Sequence, residues 1–266
     1  MIATLPMYDW PEVCEATDVW WAGLARHLRG AGFEAPDRLT RSGDPGTQWR
    51  RPDLLVSQTC GFPLMHDYRD RLEVLATPVY DVEGCSGASY SSLIVVPADG
   101  GASRLEDLAG ATAAYNAADS LSGHLAFKCV FAPLSKDGRF FDRLVESGSH
   151  RASIQLVCDR KADVAAIDCV SFALARRHHP ELAAGLAVIA YGPAAPALPY
   201  VTAAGRPAGE IERLKHALSA AAADPALAVP REALFIAGLE FLPPDAYQRV
   251  LDLEAECDAL GYAALA

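Results

Sequence analysis

The chain has 266 residues, 51% of them hydrophobic and 21% charged, with a formal net charge of −11 at pH 7. That length supports one large domain or two medium ones with a sizeable core. The acidic balance excludes bulk attraction to a phosphate backbone, so no nucleic-acid partner is expected. A bound anion must be held locally, by hydrogen-bond donors and helix ends.

In chain order, Met1–Leu5 reads as a strand. Asp9-Trp10-Pro11 opens a helix with Val13, Trp20, Leu24 and Leu28 on one stripe, ending near Gly30-Ala31-Gly32. Asp53–Ser57 is a short buried strand, and Thr59-Cys60-Gly61-Phe62-Pro63 turns into a short helix around Met65–Leu72. Glu73–Tyr80 and Ser91–Pro97 are strands.

A second block follows. Arg104–Leu108 is a short helix, Ala111–Tyr115 a strand, and Ser122–Phe131 a helix. Phe140–Ser147 carries no clear period. His150–Arg160 is a helix, Val164–Asp168 a strand, Ser171–His178 a helix and Leu186–Tyr191 a strand. After a Pro-rich segment at 193–199 the tail is helical over Pro207–Ala222, Pro230–Ala237 and Pro243–Leu260. Alternating strands and helices imply an α/β fold with mostly parallel sheets.

The longest uncharged stretch, Gly185–Gly205, carries Pro193, Pro196 and Pro199 and is not a membrane span. The N-terminus, MIATLPMYDWPE, has neither a basic n-region nor an apolar h-region, so a cytoplasmic location is expected. A trimmed leader would leave the same sequence, with a periplasmic location as the alternative. The cysteines at 14, 60, 85, 129, 158, 169 and 257 include no C-x-x-C. Neither a zinc site nor a dithiol motif is suggested, no metal or cofactor is expected, and most thiols are expected to be small, buried and reduced.

Several short motifs stand where strands give way to helices. Ser120-Leu121-Ser122-Gly123 combines hydroxyl donors, a helix start and a glycine that lets a ligand approach the backbone. Such an N-terminus binds an anion without Lys or Arg; the plainer reading is N-capping by Asp119 or Ser120. His150 opens the next helix after Ser147-Gly148-Ser149, where it could donate to a ligand oxygen or stand exposed behind a Ser149 cap.

Asp168 ends a strand, where open α/β sheets bind ligands, and could equally cap the following helix. Thr59 and Cys60 stand at another strand end. Cys60 could be a helix-start nucleophile or an unreactive thiol lining a pocket. Tyr8 and Tyr90 are strand-edge aromatics that contact a ligand or rim the core. His178-His179-Pro180 suits the C-terminal end of a helix better than a metal.

The order Tyr90-x-Ser92-Leu-Ile-Val-Val, SRLEDLAG, strand, DSLSGHL, SGSHRASIQLV, KADVAAID and a Pro-containing return strand resembles phosphate/phosphonate-type substrate-binding proteins of ABC transporters. The resemblance covers roughly residues 50 to 205. It implies the type II periplasmic-binding-protein fold: two α/β lobes with mixed, mostly parallel sheets flanked by helices and a hinge of two crossing segments. The expected lobes are 1–97 plus 196–266, and 98–195. It also implies that Ser120 and Ser122 grip phosphonate or phosphate oxygens, with His150, Asp168 and Tyr90 at the same ligand. The family's usual Thr is here Leu121, and Thr59-Cys60-Gly61 stands where a small-Pro-Tyr sequence is frequent.

The implied function is a monomeric solute-binding protein that closes on a small oxyanion and delivers it to an ABC transporter permease. The alternative is a cytoplasmic enzyme on this scaffold, resembling menaquinone-pathway lyases or thiamine-pyrimidine synthases, with His150, Asp168 or Cys60 as acid, base or nucleophile. A ligand sensor is a third class.

Overall fold

A computed structural model describes residues 1–100 and 102–265. The elements in order are β1 (Ile2–Thr4), α1 (Cys14–Gly30), α2 (Pro45–Trp49), β2 (Leu54–Gln58), α3 (Gly61–Met65), β3 (Leu72–Tyr80), β4 (Cys85–Ser86), β5 (Ser89–Tyr90), β6 (Ser92–Pro97) and β7 (Thr112–Tyr115). A π-helical turn, Leu121–Leu125, runs into α4 (Ala126–Phe131). Then come β8 (Arg143–Glu146), α5 (His150–Cys158), β9 (Val164–Asp168), α6 (Cys169–His178), α7 (Pro180–Ala184), β10 (Leu186–Tyr191) and β11 (Ala195–Pro196). The chain finishes with β12 (Tyr200–Ala203), α8 (Ala208–Ala222), α9 (Ala228–Ala233), β13 (Ile236–Glu240) and α10 (Gln248–Ala259).

These elements form two compact units. The first comprises Met1–Asp81, Ser86–Ala88 and Pro196–Ala246; the second comprises Val82–Cys85, Ser89–Ala195 and the chain from Tyr247 onward. The second unit therefore takes in β6 and α10, both assigned to the first lobe by the sequence reading. The reason for β6 is pairing: it sits between β9 and β10 in the second unit's sheet. The reason for α10 is its anchorage on α4. A disulfide joins Cys129 to Cys257. Beside it, Lys128 Nζ donates to Asp258 at 2.7 Å and to the Ala263 carbonyl at 2.8 Å. The expectation that most cysteines are buried and reduced gives way here. Cys129 and Cys257 are paired, and of the free thiols only Cys169 is buried.

The first unit is built on a sheet of order β1-β2-β12-β3-β13. The pairing of β1 with β2 is parallel, whereas β12 runs antiparallel to β2 and β3, and β13 antiparallel to β3. Every residue of β2 is buried. Helix α1 buries Trp20, Leu24 and Leu28, spaced four apart, and Trp21, three before Leu24, so that they share one face. Each such side chain contributes about 1.5–3 kcal/mol on burial. Two buried indoles are satisfied: Trp20 Nε1 donates to the Tyr200 hydroxyl at 2.9 Å, and Trp49 Nε1 to Ser57 Oγ at 3.0 Å.

The second unit's sheet has the order β10-β6-β9-β7-β8. Parallel pairing joins β7 to β8 and β9, and antiparallel pairing joins β6 to β9 and β10. Both sheets are therefore mixed rather than mostly parallel. Strand β6 is buried throughout, as its SLIVVP run requires, and Phe127 and Phe131 of α4 pack edge-on and tilted with Phe140 and Phe141.

Other boundaries moved for local reasons. The helix placed around Met65–Leu72 ends at Met65, because Leu72 already belongs to β3. The helix placed at Pro230–Ala237 stops at Ala233; Phe235 then takes φ 58°, and Ile236 begins β13. The expected helix at 243–260 begins at Gln248. Phe140–Ser147 resolves into the edge strand β8.

Candidate functional site

The parallel strands β7, β8 and β9 end on one edge of the second unit's sheet, and the segments after them interlock. Ser147 N donates to the Tyr115 carbonyl and Gly148 N to the Asn116 carbonyl, each at 2.8 Å. Ligands in open α/β folds bind outside such carboxyl ends. Antiparallel β6 starts at the same edge, its Ser92 in register with Asp168.

The π-helical turn carries the serine pair. Ser120 is its N-cap: Oγ accepts the Gly123 N–H at 3.0 Å, and the Ser120 carbonyl accepts the Leu125 N–H at 3.0 Å. A hydroxyl that accepts one bond keeps its own proton to donate, so capping does not use up Ser120. Ser122 Oγ lies 2.9 Å from His150 Nε2, and the Ser122 carbonyl accepts the Ser92 hydroxyl at 2.8 Å. Both serines are buried yet reach the surface, at 6% and 5% exposure.

Gly123 is fixed by packing. A Cβ there would stand 1.8 Å from Asn116 Oδ1 and 3.1 Å from His150 Cε1, which no side chain can do without moving them. Asn116 Oδ1 is a buried acceptor with no hydrogen-bond partner among the described residues. Asn116 belongs to the constellation, as does Ser92, and the motif reading passed over Asn116. The available signal was its place directly after strand β7.

His150 opens α5 behind a Ser149 cap whose Oγ accepts the Ala152 N–H at 3.1 Å. Part of the residue reaches solvent, but its ring is enclosed. Desolvation lowers its pKa from 6.5 to about 4, against a smaller opposing effect from the Ala166 carbonyl. The ring is therefore neutral at physiological pH. Its Nδ1 edge faces backbone, with Asp168 N at 3.5 Å.

Asp168 is 1% exposed, and its Oδ1 caps α6 by accepting the Val170 N–H at 2.8 Å and the Ser171 N–H at 2.9 Å. Capping, the plainer of its two readings, is present, and its carboxylate is placed among backbone donors beside His150. Leu121 is 1% exposed, so its side chain belongs to the core, and any contribution of this residue to an anion comes from its backbone. Tyr90, 3% exposed, ends β5, two residues before Ser92.

The remaining candidates, Tyr8, Thr59 and Cys60, lie in the first unit. Tyr8 packs edge-on against Tyr80, with centroids 5.4 Å apart, and lines a small cavity with Asp9, Trp20, Gln58 and Tyr200. Burial pushes the Tyr200 hydroxyl above its usual pKa. Thr59 is fully buried, its N–H donating to the Pro199 carbonyl at 3.2 Å, and Cys60 is the N-cap residue of the short α3. Among the described residues no cluster of His, Cys, Asp and Glu could hold a metal ion.

Comparison with known proteins fits this arrangement. Residues 51–241 match the family model "ABC transporter, phosphonate, periplasmic substrate-binding protein". No curated protein sequence matches the chain. Among solved structures, the binding protein component of an ABC phosphonate transporter from Pseudomonas aeruginosa superposes with a TM-score of 0.78 at 18% identity, over 98% of this chain and 87% of that one. PhnD1 from Prochlorococcus marinus in complex with methylphosphonate gives 0.77 at 14% identity, over 97% of this chain and 98% of that one. A Xanthomonas citri protein bound to chloride gives 0.73 at 17% identity, covering 98% of each chain. At these identities the likeness carries the fold, which is the two-lobed type II binding-protein architecture read from the motifs. The family is described as periplasmic, which leaves the cytoplasmic expectation without support, and nothing in the comparisons favours the enzyme alternative. With most of its length inside the family model, this chain belongs to the periplasmic phosphonate substrate-binding proteins of ABC transporters.

Proposed function

We propose that the second unit binds a small tetrahedral oxyanion of the phosphonate class at the start of the π-helical turn, through Ser120, Ser122, nearby backbone N–H groups and His150. The observation that carries this reading is the 2.9 Å contact between Ser122 Oγ and His150 Nε2 at a helix start. An oxyanion selects the tautomer in which Nε2–H donates to Ser122 Oγ. The Ser122 hydroxyl then turns its proton to the ligand, while the Asp168 N–H faces Nδ1. The donors are neutral dipoles, the device an acidic chain needs to hold an anion.

Asp168 and Tyr90 act in this reading at the same ligand, Asp168 by orienting His150. Tyr8, Thr59 and Cys60 are candidates within the first unit. The partner is an ABC transporter permease, the binding protein is a monomer, and the place of action is the periplasm. The Cys129–Cys257 disulfide suits that oxidising compartment.

Calorimetric titration with methylphosphonate, phosphate and a sulfonate tests the reading. Binding of a phosphorus oxyanion that is lost in Ser122→Ala is expected. Equal binding by wild type and Ser122→Ala would remove the turn from the site.

A further inference from the structure

Directly after Asp168 in the chain, Cys169 faces a second free thiol, Cys85. Cys85 Sγ lies 3.4 Å from Cys169 Sγ, and the residues are 84 apart in sequence. Cys169 is the first residue of α6 and is 1% exposed; Cys85 opens β4 and is partly exposed. The approach is built in. Gly84 takes φ +96°, and a Cβ on it would stand 2.8 Å from Cys169 Cβ, so only glycine lets this segment lie so close to α6. Glu83 fixes the same stretch by accepting from Arg176 Nη1 at 3.1 Å and from the Tyr191 hydroxyl at 2.5 Å.

We propose that Cys85 and Cys169 are a disulfide-forming pair that staples the Val82–Cys85 connecting segment to the N-terminal end of α6. The sulfurs need only close from 3.4 Å to the ~2 Å of a bond. The oxidant is a disulfide, either a small organic one or that of a partner oxidoreductase. The Cys85 thiolate attacks it, forming a mixed disulfide and expelling one thiolate. Cys169 passes its proton to that thiolate and attacks Cys85 Sγ, closing the protein disulfide and expelling a second thiolate, which takes up the proton that Cys85 gave to water. Two protein thiols are oxidised, and one disulfide is reduced to two thiols.

The order of events follows from access. Cys169 is buried, and the bond to Cys85, desolvation and the Asp168 charge all hold its pKa well above that of an ordinary thiol. Attack therefore begins at Cys85, and Cys169 resolves it. The staple lies next to Asp168, whose backbone N–H faces His150, so it stiffens the support of the anion site.

The test is treatment of the full chain with oxidised glutathione, then alkylation, digestion without reductant and mass spectrometry. A peptide linking Cys85 to Cys169, removed by dithiothreitol and absent from Cys85→Ser, is expected. In Cys169→Ser, Cys85 should stop at the glutathione adduct. A stable Cys85 adduct in the wild type, with Cys169 still alkylated after unfolding, would overturn the proposal. So would a wild type in which neither cysteine reacts. The Cys129–Cys257 peptide has its own mass and does not interfere.

Discussion

At the scale of the residue, Ser122 and Gly123 have separable duties. Ser122→Ala removes one hydroxyl that touches His150 and, in the proposed complex, the ligand. The expected cost in binding is about 1–3 kcal/mol, with the melting temperature of the free protein little changed. Calorimetry paired with a thermal melt separates the two effects. Gly123→Ala has the opposite signature. Its methyl group would collide with Asn116 Oδ1, so folding stability should fall by about 1–3 kcal/mol before any ligand is added. The double variant Gly123→Ala, Asn116→Ala relieves that collision and should regain part of the loss. If the double variant is no more stable than the single one, Asn116 is not what excludes a side chain.

His150 makes stability depend on acid. Its folded-state pKa of about 4 lies below the ordinary 6.5, so between these values the unfolded chain carries a proton that the folded chain lacks. Stability should therefore fall as pH drops through that window and level off below it. The contribution is up to about 2 kcal/mol, discounted because part of the residue reaches solvent. Urea unfolding at about pH 7 and about pH 4.5, for wild type and His150→Gln, isolates it: the variant should lose less stability on acidification. Parallel losses in the two proteins would mean the ring is not desolvated.

At the scale of the element, α10 shows where local sequence stops informing. Its amphipathic run is visible, but nothing in that run says which unit receives it. The answer lies in Cys129, Lys128 and their partners more than a hundred residues away. The same holds for β12 and β13, whose short runs become strands because β2 and β3 flank β12 and β3 offers β13 an edge. By contrast, β2, β6, β9 and α1 were legible, because a buried run or a helical stripe carries its own period. The serine turn and His150 were legible as a pattern, since caps and strand ends are local. The burial of Leu121 was not, because it depends on how the turn packs, while Asn116 offered only its place directly after β7. Replacing both Cys129 and Cys257 with Ser should cost about 2–5 kcal/mol, the upper end being the loop-closure value for a cross-link spanning 128 residues. Amide exchange should accelerate in α10 first. Unchanged exchange in α10 would mean that it is held by packing alone.

At the scale of the whole molecule, the charge of −11 and an affinity for anions pull against each other. A site built on Lys or Arg would resolve the conflict by direct attraction, and its affinity would fall as salt screened that attraction. The proposed site resolves it with neutral donors: hydroxyls, backbone N–H groups and an imidazole kept uncharged by burial. For such a site, salt acts mainly on the long-range repulsion between the acidic protein and the incoming anion. Raising ionic strength from about 0.01 M to about 0.15 M shortens the reach of that repulsion from roughly 30 Å to roughly 8 Å. The association rate for methylphosphonate should therefore rise with salt, by about twofold or more, while the dissociation rate stays nearly constant. Stopped-flow measurements in a salt that does not compete for the site decide the point. An association rate that falls with salt would place a cationic side chain at the ligand and move recognition away from the serine turn.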